Sequence, residues 1–68
     1  MKNSVRQERM KKNMTQSELA DNLGVSRQTI FAIETNKYIP STFLALKLAK
    51  IFKKPVEDFF ELEKKDFP

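Results

Sequence analysis

The chain has no cysteine and no histidine, and it carries a single glycine. Without cysteine no disulfide staples the fold, and without either residue a zinc site would rest on carboxylates alone, a poor donor set for that metal. The same absences remove the usual nucleophile–base pairs of covalent catalysis, and one glycine cannot supply a glycine-rich phosphate loop. No catalytic residue, metal site or cofactor is therefore predicted, and the chain is read as not an enzyme. No stretch approaches the roughly 20 apolar residues of a membrane span. The segment Met1 to Lys12 is basic and polar, with no apolar run of the kind a signal peptide needs. These absences predict a soluble, cytoplasmic protein.

What remains is a chain of 68 residues, enough for one domain and one modest core. A domain of this size without disulfide or metal depends on regular packing and on self-association. Thirteen Lys and Arg stand against nine Asp and Glu, a net charge of +4. Lys2, Arg6, Arg9, Lys11 and Lys12 crowd the N-terminal segment against the single acid Glu8, whereas Glu57, Asp58, Glu61 and Glu63 gather near the other end. One end of the sequence suits a polyanion and the other does not.

Long runs of helix formers, and no sustained alternation of apolar and polar residues, predict an all-helical domain of five short helices. The first spans about Ser4 to Lys12 and stops at Asn13, a residue that tolerates the left-handed conformation. Its apolar face is thin, essentially Val5 and Met10. The second opens on the capping box Thr15-Gln16-Ser17-Glu18 and ends at Leu23 before Gly24. Ser26 caps a third helix from Arg27 to about Thr35, and Ser41 caps a fourth that runs to Phe52. Pro55 opens a short fifth helix through Phe60, and the charged tail 61–68 is expected to fray. The whole chain, 1–68, reads as one domain with its core in 4–60.

Two short capped helices joined by a tight turn with glycine form a helix-turn-helix, here helices two and three. At 100° per residue, Ile30, Ile33, Ser26 and Glu34 project to one side of the third helix, and Gln28, Phe31, Ala32 and Thr35 to the other. The first set is assigned to the core and the second to a partner. Glutamine pairs with adenine N6 and N7 in the major groove, arginine with guanine O6 and N7, and an apolar ring suits a thymine methyl. Gln28, Arg27 and Phe31 supply those three chemistries. An exposed aromatic residue in mid-helix, such as Phe31, is also a signal in its own right.

The run TQSELADNLGVSRQTIFAIETNKYIPS, Thr15 to Ser41, resembles the Cro/cI-type (XRE-like) helix-turn-helix family of bacterial and phage regulators. The resemblance continues through LALKLAKIF and PVEDFF and covers about residues 4 to 60. It implies a compact lambda-repressor-like DNA-binding domain and, from the short length, a stand-alone regulator without a ligand-sensing domain. It also implies roles. Arg27, Gln28, Phe31 and Ala32 face bases, while Gln16, Thr29, Thr35, Asn36 and Lys37 meet the sugar-phosphate backbone, with Gln16 also placed to brace Gln28. Arg9 and Glu34 match an ion pair buried between the first helix and the recognition helix. The sequence departs from the family pattern at Asn13 and Asn36, where glycine is common, at Glu8, where an apolar residue is usual, and at Phe31, where a small one is frequent.

Leu44, Ala45, Leu48, Ile51 and Phe52 form the core stripe of the fourth helix, joined by Val56 and Phe59, while Phe43, Leu46, Lys47 and Lys50 lie opposite. One recognition helix reads only a few base pairs, so a monomer discriminates poorly. A homodimer reaches successive major grooves about 34 Å apart on a pseudo-palindromic operator. Its contact is predicted near Phe60 and Leu62, and its action is read as repression. The principal rival is a DNA-binding antitoxin that grips a toxin protein through Phe43, Leu46 and the tail while regulating its own operon. A basic amphipathic membrane helix over Phe43 to Lys54 is less well supported than its packing into a bundle.

Overall fold

Three of the four helices in this chain start at a side-chain cap one residue outside the helix, as the computed structural model, which describes residues 1–68, shows. Helix α1 spans Val5–Lys11, α2 Gln16–Leu23, α3 Arg27–Glu34 and α4 Thr42–Phe52. The Thr15 hydroxyl accepts from the Glu18 amide at 3.0 Å, and the Glu18 carboxylate accepts from the Thr15 amide at 2.8 Å, so both arms of the capping box form. Ser26 and Ser41 each accept the amide three residues on, both at 3.2 Å. Gly24 closes α2 at φ 74°, the left-handed region where a side chain is strained. Asn13 and Asn36 take positive φ as their turns require. Ser4 makes no side-chain cap. The Asn3 side-chain Oδ1 accepts from the Val5 amide instead, at 3.1 Å.

Val5, Leu19, Leu23, Ile30, Ile33 and Leu48 are fully enclosed, and Ala20, Phe52, Phe59 and Phe60 complete the core. Phe59 meets Phe52 edge-on, with ring centroids 5.1 Å apart, and lies tilted on Phe60 at 5.2 Å. The face of α1 is thinner than expected. Val5 is buried, but Met10 is 55 % exposed and leaves the core to its neighbours. Ser26, grouped with the core face of α3, is exposed at the helix cap.

The fifth helix does not form. Pro55 leads into a single 3-10 turn, Val56–Asp58, and the chain then extends. Six residues are too few to nucleate a helix without a strong tertiary clamp, and here an extended conformation finds partners. Strand β1, Lys2–Asn3, pairs antiparallel with β2, Phe60–Glu61, in the register Lys2 with Glu61 and Asn3 with Phe60. The Ser4 amide donates to the Phe59 carbonyl at 2.9 Å and extends the ladder. The tail is also ordered rather than frayed. Its 3-10 turn, Lys64–Asp66, is held by Asp66 accepting from the Glu63 amide at 2.6 Å, and the Met1 amino group lies 3.1 Å from both carboxylates. The domain is thus four helices with a two-stranded ribbon that ties the chain ends together. No helix is long and apolar enough to cross a membrane.

Glu8, the acid standing in a usually apolar position, is buried on α1 and paired. Its carboxylate lies 3.0 Å from Lys54 and 3.3 Å from Lys11. The hydrogen bond from Lys54, helped by Lys11 and opposed by desolvation, holds the carboxyl below the ordinary glutamate range. A depressed folded pKa stabilises the protein above the unfolded value of about 4.3, and that contribution disappears as pH falls through the folded pKa. Glu8→Gln is therefore expected to lower the urea midpoint at pH 7, with the two proteins converging as pH falls through the folded pKa of Glu8. A constant gap across that range would show that the Lys54 contact is not ionic.

Candidate nucleic-acid interface

Helix α3 is anchored by Ile30 and Ile33, both fully buried, so the rest of its surface is fixed in direction. Arg27, Gln28, Phe31 and Thr35 are exposed, while Thr29 and Ala32 are half-buried. Gln28, Phe31, Ala32 and Thr35 are the residues the helical projection turned outward, and the structure separates the six into two columns. Gln28, Thr29 and Ala32 line a groove shared with Tyr38 and Leu44. Arg27, Phe31 and Thr35, spaced by four residues, line a second cleft that faces α1 and the start of α2.

A relay of hydrogen bonds holds the first residue of α3. Arg9 binds Glu34 through Nε at 2.7 Å and Nη2 at 3.3 Å, and donates through Nη1 to the Met14 carbonyl at 2.7 Å. Both side chains are nearly withdrawn from water, at 11 % and 3 % exposure. The second acceptor of Glu34 takes a hydrogen bond from the Gln16 amide at 3.0 Å, and the Gln16 carbonyl oxygen accepts from Arg27 at 3.1 Å. Gln16 therefore braces Arg27, not Gln28 as expected. Gln28 makes no intramolecular hydrogen bond, so its amide keeps both donor and acceptor for a partner. Arg27 is held by a neutral amide, with no carboxylate among its hydrogen-bond or ion-pair partners.

The far end of α3 is held from the ribbon. Asn3 Nδ2 donates to the Ile33 carbonyl at 3.0 Å and to Asn36 Oδ1 at 2.9 Å. This clasp joins the chain's first residues to the end of the recognition helix, across a separation that local patterning does not register. Thr35 turns its hydroxyl back to the Phe31 carbonyl at 2.8 Å, while Lys37 is exposed and unpaired.

The N-terminal basic cluster divides. Lys2 pairs with Glu61, Arg9 with Glu34 and Lys11 with Glu8, which leaves Arg6 and Lys12 as its unpaired cations. Arg6 lines the cleft with Arg27, and Tyr38, 43 % exposed, stands beside Gln28; neither was singled out in the sequence. Lys47 is not an open surface cation either. It donates to the Leu23 carbonyl at 2.8 Å, satisfying the end of α2, and lies over the Phe43 ring. Phe60, expected at a dimer contact, belongs to the core, because its place on β2 turns the ring inward against Phe59. Leu62 is 60 % exposed, as are Ile39, Phe43 and Leu46 at comparable levels.

The family model described as Helix-turn-helix matches residues 5–59. An uncharacterized HTH-type transcriptional regulator of Methanocaldococcus jannaschii is 54 % identical over 63 residues, covering 93 % of this chain and 96 % of that protein. A second, from Bacillus subtilis, is 44 % identical over 66 residues, covering 97 % of this chain and all of that one. Among solved structures, a chain of the SinR protein/SinI protein complex superposes with a TM-score of 0.75 at 25 % identity over 94 % of this chain. This chain spans 63 % of that one.

Proposed function

This chain belongs to the helix-turn-helix family, and on that premise we propose that it is a sequence-specific transcriptional regulator that binds double-stranded DNA, acting as a homodimeric repressor on a pseudo-palindromic operator. The observation that carries this reading is the state of the recognition helix: Gln28 is exposed with no internal partner, beside an Arg27 already held by the Gln16–Glu34–Arg9 relay. A side chain fixed before binding loses less rotamer entropy when it meets a base. In this reading Arg27, Gln28, Phe31 and Ala32 face the bases of the major groove. Gln16, Thr29, Thr35, Asn36 and Lys37 approach the backbone. The relatives named as transcriptional regulators support the coarser reading of a DNA-binding regulator.

The homodimer follows from specificity. A mismatch costs about 1–3 kcal/mol, so one half-site separates poorly from competing sequence and two do so together. The exposed side chains Leu62, Ile39 and Leu46 supply apolar surface for the contact. An antitoxin reading keeps one specific support: Phe43 and Leu46 stay uncovered by the tail, at 68 % and 58 % exposure. Co-purification with a toxin encoded beside this chain would favour it.

The test is selection from a randomised duplex pool, with sedimentation of the selected complex. Wild type is expected to enrich a twofold-symmetric site bound by two chains. Gln28→Ala is expected to relax preference at one position in each half-site, by roughly 1–3 kcal/mol. Weak, unselective binding that Gln28→Ala leaves unchanged would overturn the assignment and direct attention to Phe43 and Leu46.

A further inference from the structure

We propose that Arg6 and Arg27 form a two-armed clamp for a single phosphate of the DNA backbone, beside the base-reading column of α3. The proposal rests on the DNA-binding reading, adds to it a residue from α1, outside the helix-turn-helix unit, and moves Arg27 and Phe31 from the bases to the backbone, leaving Gln28 and Ala32 to read bases.

Three helices converge on the cleft, which has a volume of about 330 Å³. From α1 come Arg6 and Arg9, three residues apart and so on one face of that helix. Gln16 comes from the start of α2, and Arg27, Phe31 and Thr35 form one column of α3. Three guanidinium groups and one carboxylate, Glu34, line this space. Glu34 is already engaged by Arg9 and Gln16, so two positive charges stay unmatched. They belong to Arg27, whose only bond is to the neutral Gln16 amide, and to Arg6, which is exposed and makes no hydrogen bond or ion pair.

Its place in the cleft marks Arg6 among the N-terminal cations, since Lys12 is also unpaired but does not line the cleft. Lys2, Arg9 and Lys11 are each neutralised by a nearby carboxylate. A guanidinium without a carboxylate, lining one cleft with a second guanidinium, suits an anion with several acceptor oxygens, because its fork matches phosphate geometry. Position selects the source of that anion. The column Arg27–Phe31–Thr35 flanks Gln28 and Ala32, so a duplex seated with its base edges on Gln28 and Ala32 brings one backbone along the cleft. There the two arms close on a phosphate, and the Phe31 ring, 48 % exposed in the same cleft, meets the adjoining sugar. Such a contact adds affinity and register but reads no base.

The experiment measures binding of the full chain to its selected duplex across 50–200 mM salt, for wild type, Arg6→Gln, Arg6→Lys and Lys64→Gln. The last removes one unpaired charge from the C-terminal turn, outside the cleft. Each neutralised phosphate contributes about 0.9 to the log–log slope. Arg6→Gln is expected to lower the slope by about 1 for each half-site, so that its deficit in a dimer shrinks by about tenfold between 50 and 200 mM. Base preference and melting temperature are expected to stay at wild-type values, Arg6→Lys to keep most of the slope, and Lys64→Gln to keep all of it. A wild-type slope in Arg6→Gln overturns the clamp while leaving the DNA-binding reading intact. An equal loss in Lys64→Gln also overturns it, since net charge alone would then explain the effect. Absence of salt-dependent duplex binding in wild type overturns both.

Discussion

Replacing Arg9 with methionine is expected to lower the stability of the domain by about 3–5 kcal/mol, because it leaves the Glu34 carboxylate buried without its counter-ion. A single core in a chain this short supplies only about that much net stability, so the variant should be largely unfolded at room temperature. At roughly 4–8 °C of melting temperature per kcal/mol, the midpoint falls by more than 10 °C. Arg9→Lys should recover little. An ammonium cannot reproduce the paired contacts to both Glu34 oxygens together with the bond to the Met14 carbonyl. The double variant Arg9→Met, Glu34→Gln should regain part of the loss, since no charge is then buried alone, and Gln16 keeps an acceptor there. Urea denaturation of the three variants distinguishes these outcomes. A loss below about 1 kcal/mol for Arg9→Met would mean that Glu34 reaches water on its own. The consequence extends to binding. Glu34 holds Gln16 and Gln16 holds Arg27, so the double variant, where it folds, is expected to bind its operator more weakly than its stability alone explains.

Phe59→Ala carries the second large effect, about 3–5 kcal/mol, for a different reason: it opens a cavity where Phe52, Phe59 and Phe60 meet. The ring is 2 % exposed, and its edge-on contact with Phe52 adds to the area it buries. Phe59→Leu, which refills most of the volume, should lose a fraction of that. Thermal melts of the two variants decide the matter, and similar losses would point to the aromatic geometry rather than to the volume. The Phe59 carbonyl receives the Ser4 amide, and Asn3 on the same strand clasps the end of α3. Loosening this corner should therefore also raise amide exchange at Asn36, far along the chain from the substitution.

The helix ends were legible because each depends on contacts within four residues. The Thr15–Glu18 box, the caps at Ser26 and Ser41, and the positive φ of Asn13, Gly24 and Asn36 were all readable from residue type and spacing. The outward face of α3 was readable for the same reason, since periodicity on one helix settles which residues oppose its buried isoleucines. The ribbon was not. Two residues per strand carry no detectable alternation, and their partner lies nearly sixty positions away. Pro55 and the helix formers after it therefore suggested a helix where the chain instead extends to meet Lys2 and Asn3. Phe60 was misplaced by the same error, because a helix would have turned its ring outward and the strand turns it in.

Residue type and spacing alone settled α1 to α4, the side-chain caps of α2, α3 and α4, the turn between α2 and α3, and the polar face of the recognition helix, because hydrogen bonding and hydrophobic period act over a few residues. Which charges are paired and which stay free emerged with the packing of the helices. Glu8, Glu34 and Glu61 reach across the fold to neutralise lysines and an arginine that the sequence shows merely as a basic cluster. Arg6 and Arg27 are left facing one cleft without a carboxylate of their own. Coulomb pairing depends on distance in space, and that distance exists only once the helices have packed.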